Sequence, residues 1–171
     1  ALGEPLDELR MTSAIGRFWS LRGHIAEGME RLGHALARTG VAVDPLGAKA
    51  LRLRSALAVI QGDYALAREL ADTALSHYRT LDDDEGAART LSNLGAILHA
   101  QGELARSAAI LDECIERCRP LGNARLLALA ENNRGDVALS QGQPRLAATH
   151  FDRSLTLMRE LGDTANVARA L

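Results

Sequence analysis

Apolar residues recur along this chain at intervals of three and four, as at Leu104, Ala108, Leu111 and Ile115, the spacing that lines up side chains on one face of a helix. Segments with this pattern run for roughly 14 to 18 residues and stop at short polar or glycine-bearing turns. The pattern predicts helices over 6–21, 24–38, 46–61, 64–80, 84–101, 104–119, 124–141 and 144–160, with a ninth beginning near Thr164.

The helical segments are copies of one another. QGDYALARELADTAL, QGELARSAAILDECI and QGQPRLAATHFDRSL begin at Gln61, Gln101 and Gln141, a period of 40 residues, and an earlier copy, RGHIAEGMERLGHAL, begins at Arg22. Each unit has a glycine turn, at Gly23, Gly62, Gly102 or Gly142. Each also has a polar turn, following Leu81, Leu121 and Leu161 or, earlier, in the TGVAVDPLG stretch with Pro45. Two short turns per unit predict antiparallel helix pairs, in repeats at approximately 5–40, 46–80, 84–120 and 124–160. The expected fold is therefore all-α, a stack of helix pairs in a single domain over 1–171. A fifth repeat starts at about 164 and is cut at Leu171, so a fragment of a larger protein is expected.

Composition agrees with helices. Apolar residues make up 47% and aromatic residues only 3%, so the interior must be built from Leu, Ala, Val and Ile. The 20 basic and 22 acidic residues leave a net charge of −2 with no block of one sign, which argues against a nucleic-acid-binding face. Lys49 is the only lysine, a bias that suggests a GC-rich bacterial genome. No apolar run approaches the ~18 residues of a membrane span, and the expected location is the cytoplasm.

Small residues sit at fixed places in the frame. Gly16, Gly95 and Gly135 occupy one position of the first helices, with Leu94 before Gly95. Gly28, Ala67, Ser107 and Ala147 occupy one position of the second helices, and Ala35, Ala74, Cys114 and Ser154 another. Helices approach to about 8–10 Å only where crossing side chains are small. This pattern resembles the tetratricopeptide repeat, or TPR, and the resemblance implies a right-handed superhelical α-solenoid that binds proteins or peptides. Ser55 in place of the helix glycine, and Arg54 and Arg134 in place of the family's leucine, predict less regular packing there. The 40-residue period and the opening GRFWSLRGHIAEGMERLGHALAR are similar to the arrays of bacterial LuxR-type transcriptional regulators and related signal-transduction ATPases.

Catalytic chemistry is not evident. There is no phosphate loop ahead of Lys49, no His-Glu-x-x-His pair and no Gly-x-Ser-x-Gly elbow, so no enzyme activity, cofactor or metal is expected. His24, His34, His77, His99 and His150 lack metal-ligand spacing and read as surface or turn residues. Cys114 and Cys118 share a helix face and read as reduced structural thiols. Asp82, Asp83, Asp84 and Glu85 read as helix-capping residues, and Phe18 and Trp19 as packing residues.

In the resembled family the first helices line a groove, and the register implies that its exposed places include Arg17, Arg52, Arg89, Ser92, Asn93, His99, Asn132 and Asp136. Arginine and asparagine can hold a carboxylate or a peptide backbone. The chaperone-tail clamp of the family is not reproduced, because Leu53 stands where it needs Asn and the groove has no lysine. The expected function is a non-catalytic interaction or regulatory module of a bacterial transcriptional regulator or signalling ATPase. The alternatives are a sensor of a peptide or small-molecule inducer, and a free-standing scaffold. Uncapped repeat ends further suggest homo-oligomers.

Overall fold

The computed structural model describes residues 3–40 and 43–162, with the side chain of Arg17 outside the description. Among these residues there are nine helices: α1 (Gly3–Ala14), α2 (Gly16–Arg22), α3 (Ile25–Thr39), α4 (Pro45–Gln61), α5 (Tyr64–Thr80), α6 (Asp84–Ala100), α7 (Leu104–Leu121), α8 (Ala124–Ser140) and α9 (Pro144–Glu160). The all-α class and the helix-pair order are those the periodicity predicts. The helix expected near Thr164 lies outside the described residues.

The expected single helix over 6–21 is instead two, broken at Ile15. Two local features lie at the break. The Thr12 hydroxyl donates to the carbonyls of Glu8 and Leu9, a back-bond that competes with the helix ladder. Gly16, a poor helix former, follows at once, and a Cβ there would lie 2.8 Å from Leu53 Cδ1. The break leaves Trp19 buried and Phe18 49% exposed, so Phe18 is not the packing residue expected; its ring stacks on His24 at 5.6 Å.

Turn chemistry sets the helix ends. Asp44 accepts from the amides of Leu46 and Gly47, Asp63 from Leu66, Asp83 from Gly86 and Asn123 from Leu126, each relieving orphan N–H groups of a first turn. The acidic run after Leu81 thus caps α6 through Asp83, as expected. Its neighbour Asp82 has φ 52°, the left-handed conformation that Gly122 and Gly162 adopt 40 and 80 residues later.

The chain divides into two compact units, Ala1–Thr90 and Leu91–Leu171, with the boundary inside α6. In the first, α4 packs on α5 and α1 on both α3 and α4. Glu8 on α1 meets Arg38 at 2.7 Å and His34 at 3.3 Å on α3. In the second, α8 packs on α7 and α9.

The small residues lie where helices cross. A Cβ on Gly95 would come within 2.5 Å of Leu111, and one on Gly135 within 2.5 Å of Phe151. Three crossings among the described residues also carry a buried hydroxyl, one of them through Ser154 of α9, which donates to the Ala128 carbonyl of α8 at 2.8 Å. Ser55 of α4 donates to the Ala67 carbonyl of α5 at 2.7 Å, whereas at the matching crossing Ser107 of α7 donates to the Gly95 carbonyl of α6 at 2.7 Å. The serine replacing glycine at 55 therefore keeps the crossing and bonds across it, instead of loosening it.

Candidate functional site

Within the second unit, α6 and α8 are joined by two polar links across one face. His99 Nε2 lies 2.7 Å from Ser140 Oγ, and Asn133 Nδ2 donates to Ser92 Oγ at 3.2 Å. One turn before Ser140 stands exposed Asp136, whose Oδ2 accepts a long 3.4 Å bond from Asn132 Nδ2. Burial raises the Asp136 pKa above the usual carboxylate range, and the nearby His99 charge partly opposes that rise. Asn93 is half-buried on α6. His99, Asn132 and Asp136 are thus brought together, the first two half-buried and Asp136 exposed. Ser92 is a correction: it is only 2% exposed, because its hydroxyl is drawn into the link with Asn133.

Within the first unit, Arg52 is half-buried and its guanidinium interacts with the Tyr78 hydroxyl, opposing the rise that burial imposes on that phenol's pKa. Arg89 is exposed and its guanidinium donates to Glu85 one turn earlier at 2.6 Å. The side chain of Arg17 lies outside the described residues.

The histidine expectation fails at two positions. His77 and His150 are buried, not surface or turn residues. His150 on α9 faces Glu131 on α8, Nδ1 to Oε2 2.6 Å, and Arg153 stands 3.9 Å from the other carboxylate oxygen. Glu131 is itself 3% exposed and lines a cleft of about 510 Å³ together with Arg119, Leu127, Asp152, Arg153, Thr156 and Leu157. Reading each helix by itself could not find this pair. Comparison of the copies could have, because the frame has Leu51 and Leu91 where Glu131 stands, and Leu70 and Ile110 where His150 stands. Two positions that are apolar in the second and third repeats hold a carboxylate and an imidazole in the fourth, and there the two meet.

Arg134 is likewise buried, its Nε donating to Asp112 of α7 at 2.9 Å. Asp112 has no counterpart acid in the first repeat, where the matching position is Gly33 and the Arg54 guanidinium lies against it. These arginines explain how the frame tolerates loss of leucine: at Gly33 the room is made by a missing side chain, at Asp112 the charge is paired.

Cys114 and Cys118 are buried with Sγ atoms 4.0 Å apart. The contact with Cys118, then burial, pushes the Cys114 pKa far above that of an ordinary thiol, so its thiolate is not accessible at neutral pH. Among the described residues no three His, Cys, Asp or Glu side chains are grouped to hold a metal ion, and no helix is long and apolar enough to cross a membrane.

Residues 48–120 match the tetratricopeptide repeat family. No curated protein matches the sequence. Among solved structures, BtubC from P. vanneervenii is 16% identical with TM-score 0.80, covering 91% of this chain and 65% of its own. A Rap protein complexed with Competence and Sporulation Factor is 16% identical with TM-score 0.84, covering 95% and 46%. Aspartyl phosphate phosphatase F from Bacillus subtilis is 13% identical with TM-score 0.83, covering 99% and 44%. The chain thus spans less than two thirds of the length of each of these proteins. At such identities the likeness is one of fold: this is an all-helical, TPR-like array of helix pairs whose segment 48–120 is a match to the tetratricopeptide repeat family.

Proposed function

We propose that the chain is a non-catalytic, cytoplasmic interaction module that holds an extended peptide or protein segment along its first helices. The observation that carries this reading is the polar row His99, Asn132, Asn133, Asp136 and Ser140, in which His99–Ser140 and Asn133–Ser92 link α6 to α8 and Asn132 bonds Asp136 along α8. Side-chain amides both donate and accept, which suits a peptide backbone whatever its sequence. The Rap protein of similar fold was solved with a bound factor, which supports a binding role for such an array. Screening the full chain against a synthetic peptide library tests the reading. Peptides that bind should lose most of their affinity to Asn132→Ala combined with Asn133→Ala. Binding untouched by that pair would refute a role for this face.

We further propose that the parent protein is a bacterial regulator of the LuxR type or a signalling ATPase, on the strength of the 40-residue period and the opening segment over 16–38. A parent gene encoding neither a nucleotide-binding nor a helix-turn-helix domain would refute it.

A further inference from the structure

The geometry points to a basic side chain, arginine above all, as what the α6–α8 face of the second unit selects in its partner, with Asp136 as the anchoring carboxylate. This rests on the peptide-binding reading and specifies it.

The charges around that face decide the sign. On α6 after Thr90 the only titratable side chain is His99, and its Nε2 is occupied by Ser140. On α8 the charged residues are Arg125, Glu131, Arg134 and Asp136. Glu131 is buried against His150 on α9, and Arg134 is buried against Asp112 on α7, so both are turned away from the face. Arg125 stands eleven residues before Asp136, about 16 Å along the helix at 1.5 Å per residue and beyond a Debye length. Asp136 is therefore the local anionic centre, with His99 as the one side chain near it that can carry opposite charge.

Its present partner is a poor one. The Asn132 amide reaches it at 3.4 Å, long for a hydrogen bond, while part of its hydration has already been stripped by burial. A carboxylate in that condition gains more from an incoming cation than a fully hydrated one, since less water remains to be displaced. A guanidinium supplies two parallel N–H donors to the two oxygens, a geometry that ammonium lacks. Asn132, released from Asp136, would then be free to hold the adjoining backbone amide or carbonyl.

The test is titration of the isotopically labelled full chain, followed by amide resonances, with two probes: acetyl-Ala-Ala-Arg-Ala-Ala-amide and its counterpart with Glu in place of Arg. The arginine peptide should move the resonances of Asn132 to Ser140 and bind at least about fivefold more tightly than the glutamate peptide. Asp136→Asn should abolish that preference, and 0.5 M salt should reduce it. Equal binding of both peptides at the same α8 resonances, or a preference that survives Asp136→Asn, would overturn the charge selection while leaving peptide binding intact. No shift from either peptide at about 10 mM would sink the selection and count against the peptide-binding reading too.

Discussion

Replacing Glu131 by Leu and His150 by Ile would restore at both places the residues the third repeat carries, Leu91 and Ile110. The structure makes the consequences of the three variants distinct. Glu131 and His150 have side chains only 4% and 8% exposed, and they meet at 2.6 Å. Removing either one alone leaves the other buried without its main hydrogen-bond partner, which costs about 1–3 kcal/mol for an unsatisfied buried polar group. Removing both substitutes apolar contacts of similar volume in a frame already shaped for them. The double variant should therefore be as stable as the parent or up to about 4 kcal/mol more stable. Urea denaturation followed by circular dichroism measures this, with an unchanged m-value as the check that the same surface is exposed on unfolding. A double variant destabilised by the sum of the two single losses would show that the pair is not a self-contained unit and that the reasoning from repeat equivalence is wrong.

Other expectations follow from particular contacts. Gly95→Ala sets a Cβ within 2.5 Å of the buried Leu111 side chain and should cost about 1–3 kcal/mol by overpacking, read as a lower melting temperature. Asp82→Gly removes a left-handed non-glycine residue at φ 52° and should gain about 0.5–1 kcal/mol, the strain relieved less the entropy glycine adds to the unfolded chain. The Glu8 pKa is held below the usual range chiefly by its hydrogen bond to His34, aided by Arg38, so the native state binds fewer protons there than the unfolded one. Its stabilising contribution is complete above the unfolded carboxylate pKa and disappears as pH falls through the lowered value. Glu8→Gln should accordingly flatten the acid side of the stability curve, with the fluorescence of the single Trp19, in the same unit, as the probe.

How far the fold could be read from sequence depended on which comparison was made. From α3 onward, apolar spacing and glycine turns placed the elements to within a residue or two, because helix burial is periodic and turn backbones at φ near +60° to +80° select glycine. The break at Ile15 escaped because a threonine back-bond and a glycine chosen for close approach to Leu53 act locally and leave the apolar spacing intact. The placement of candidate residues was legible where polar side chains share a fixed register on neighbouring first helices, as for the half-buried His99 and Asn132 and the exposed Asp136. Ser92 shares that register yet is buried, since a hydroxyl is small enough to be folded into a link with Asn133 that the sequence of one helix does not reveal.

Glu131 and His150 expose the deeper limit. Taken singly, a glutamate and a histidine on amphipathic helices read as surface residues, because their burial depends on each meeting the other 19 positions away. The information is present only vertically, in the columns formed by Leu51, Leu91 and Glu131 and by Leu70, Ile110 and His150. In a repeat array the copies act as internal controls on one another: a position apolar in the earlier copies and ionisable in the next has either been moved to the surface or been given a partner. Simultaneous replacement at two contacting columns distinguishes the second case from the first, since a lone buried charge would be too costly to keep. Asp112 and Arg134 reach a pair by another route: the acid column is already Asp72 in the second repeat, and the arginine, standing where the third repeat has Leu94, meets that standing acid at 2.9 Å. The exposed Asp136, standing where the second and third repeats have Ala56 and Ala96, is by contrast a surface charge answered by a long bond to Asn132 and by the nearby His99.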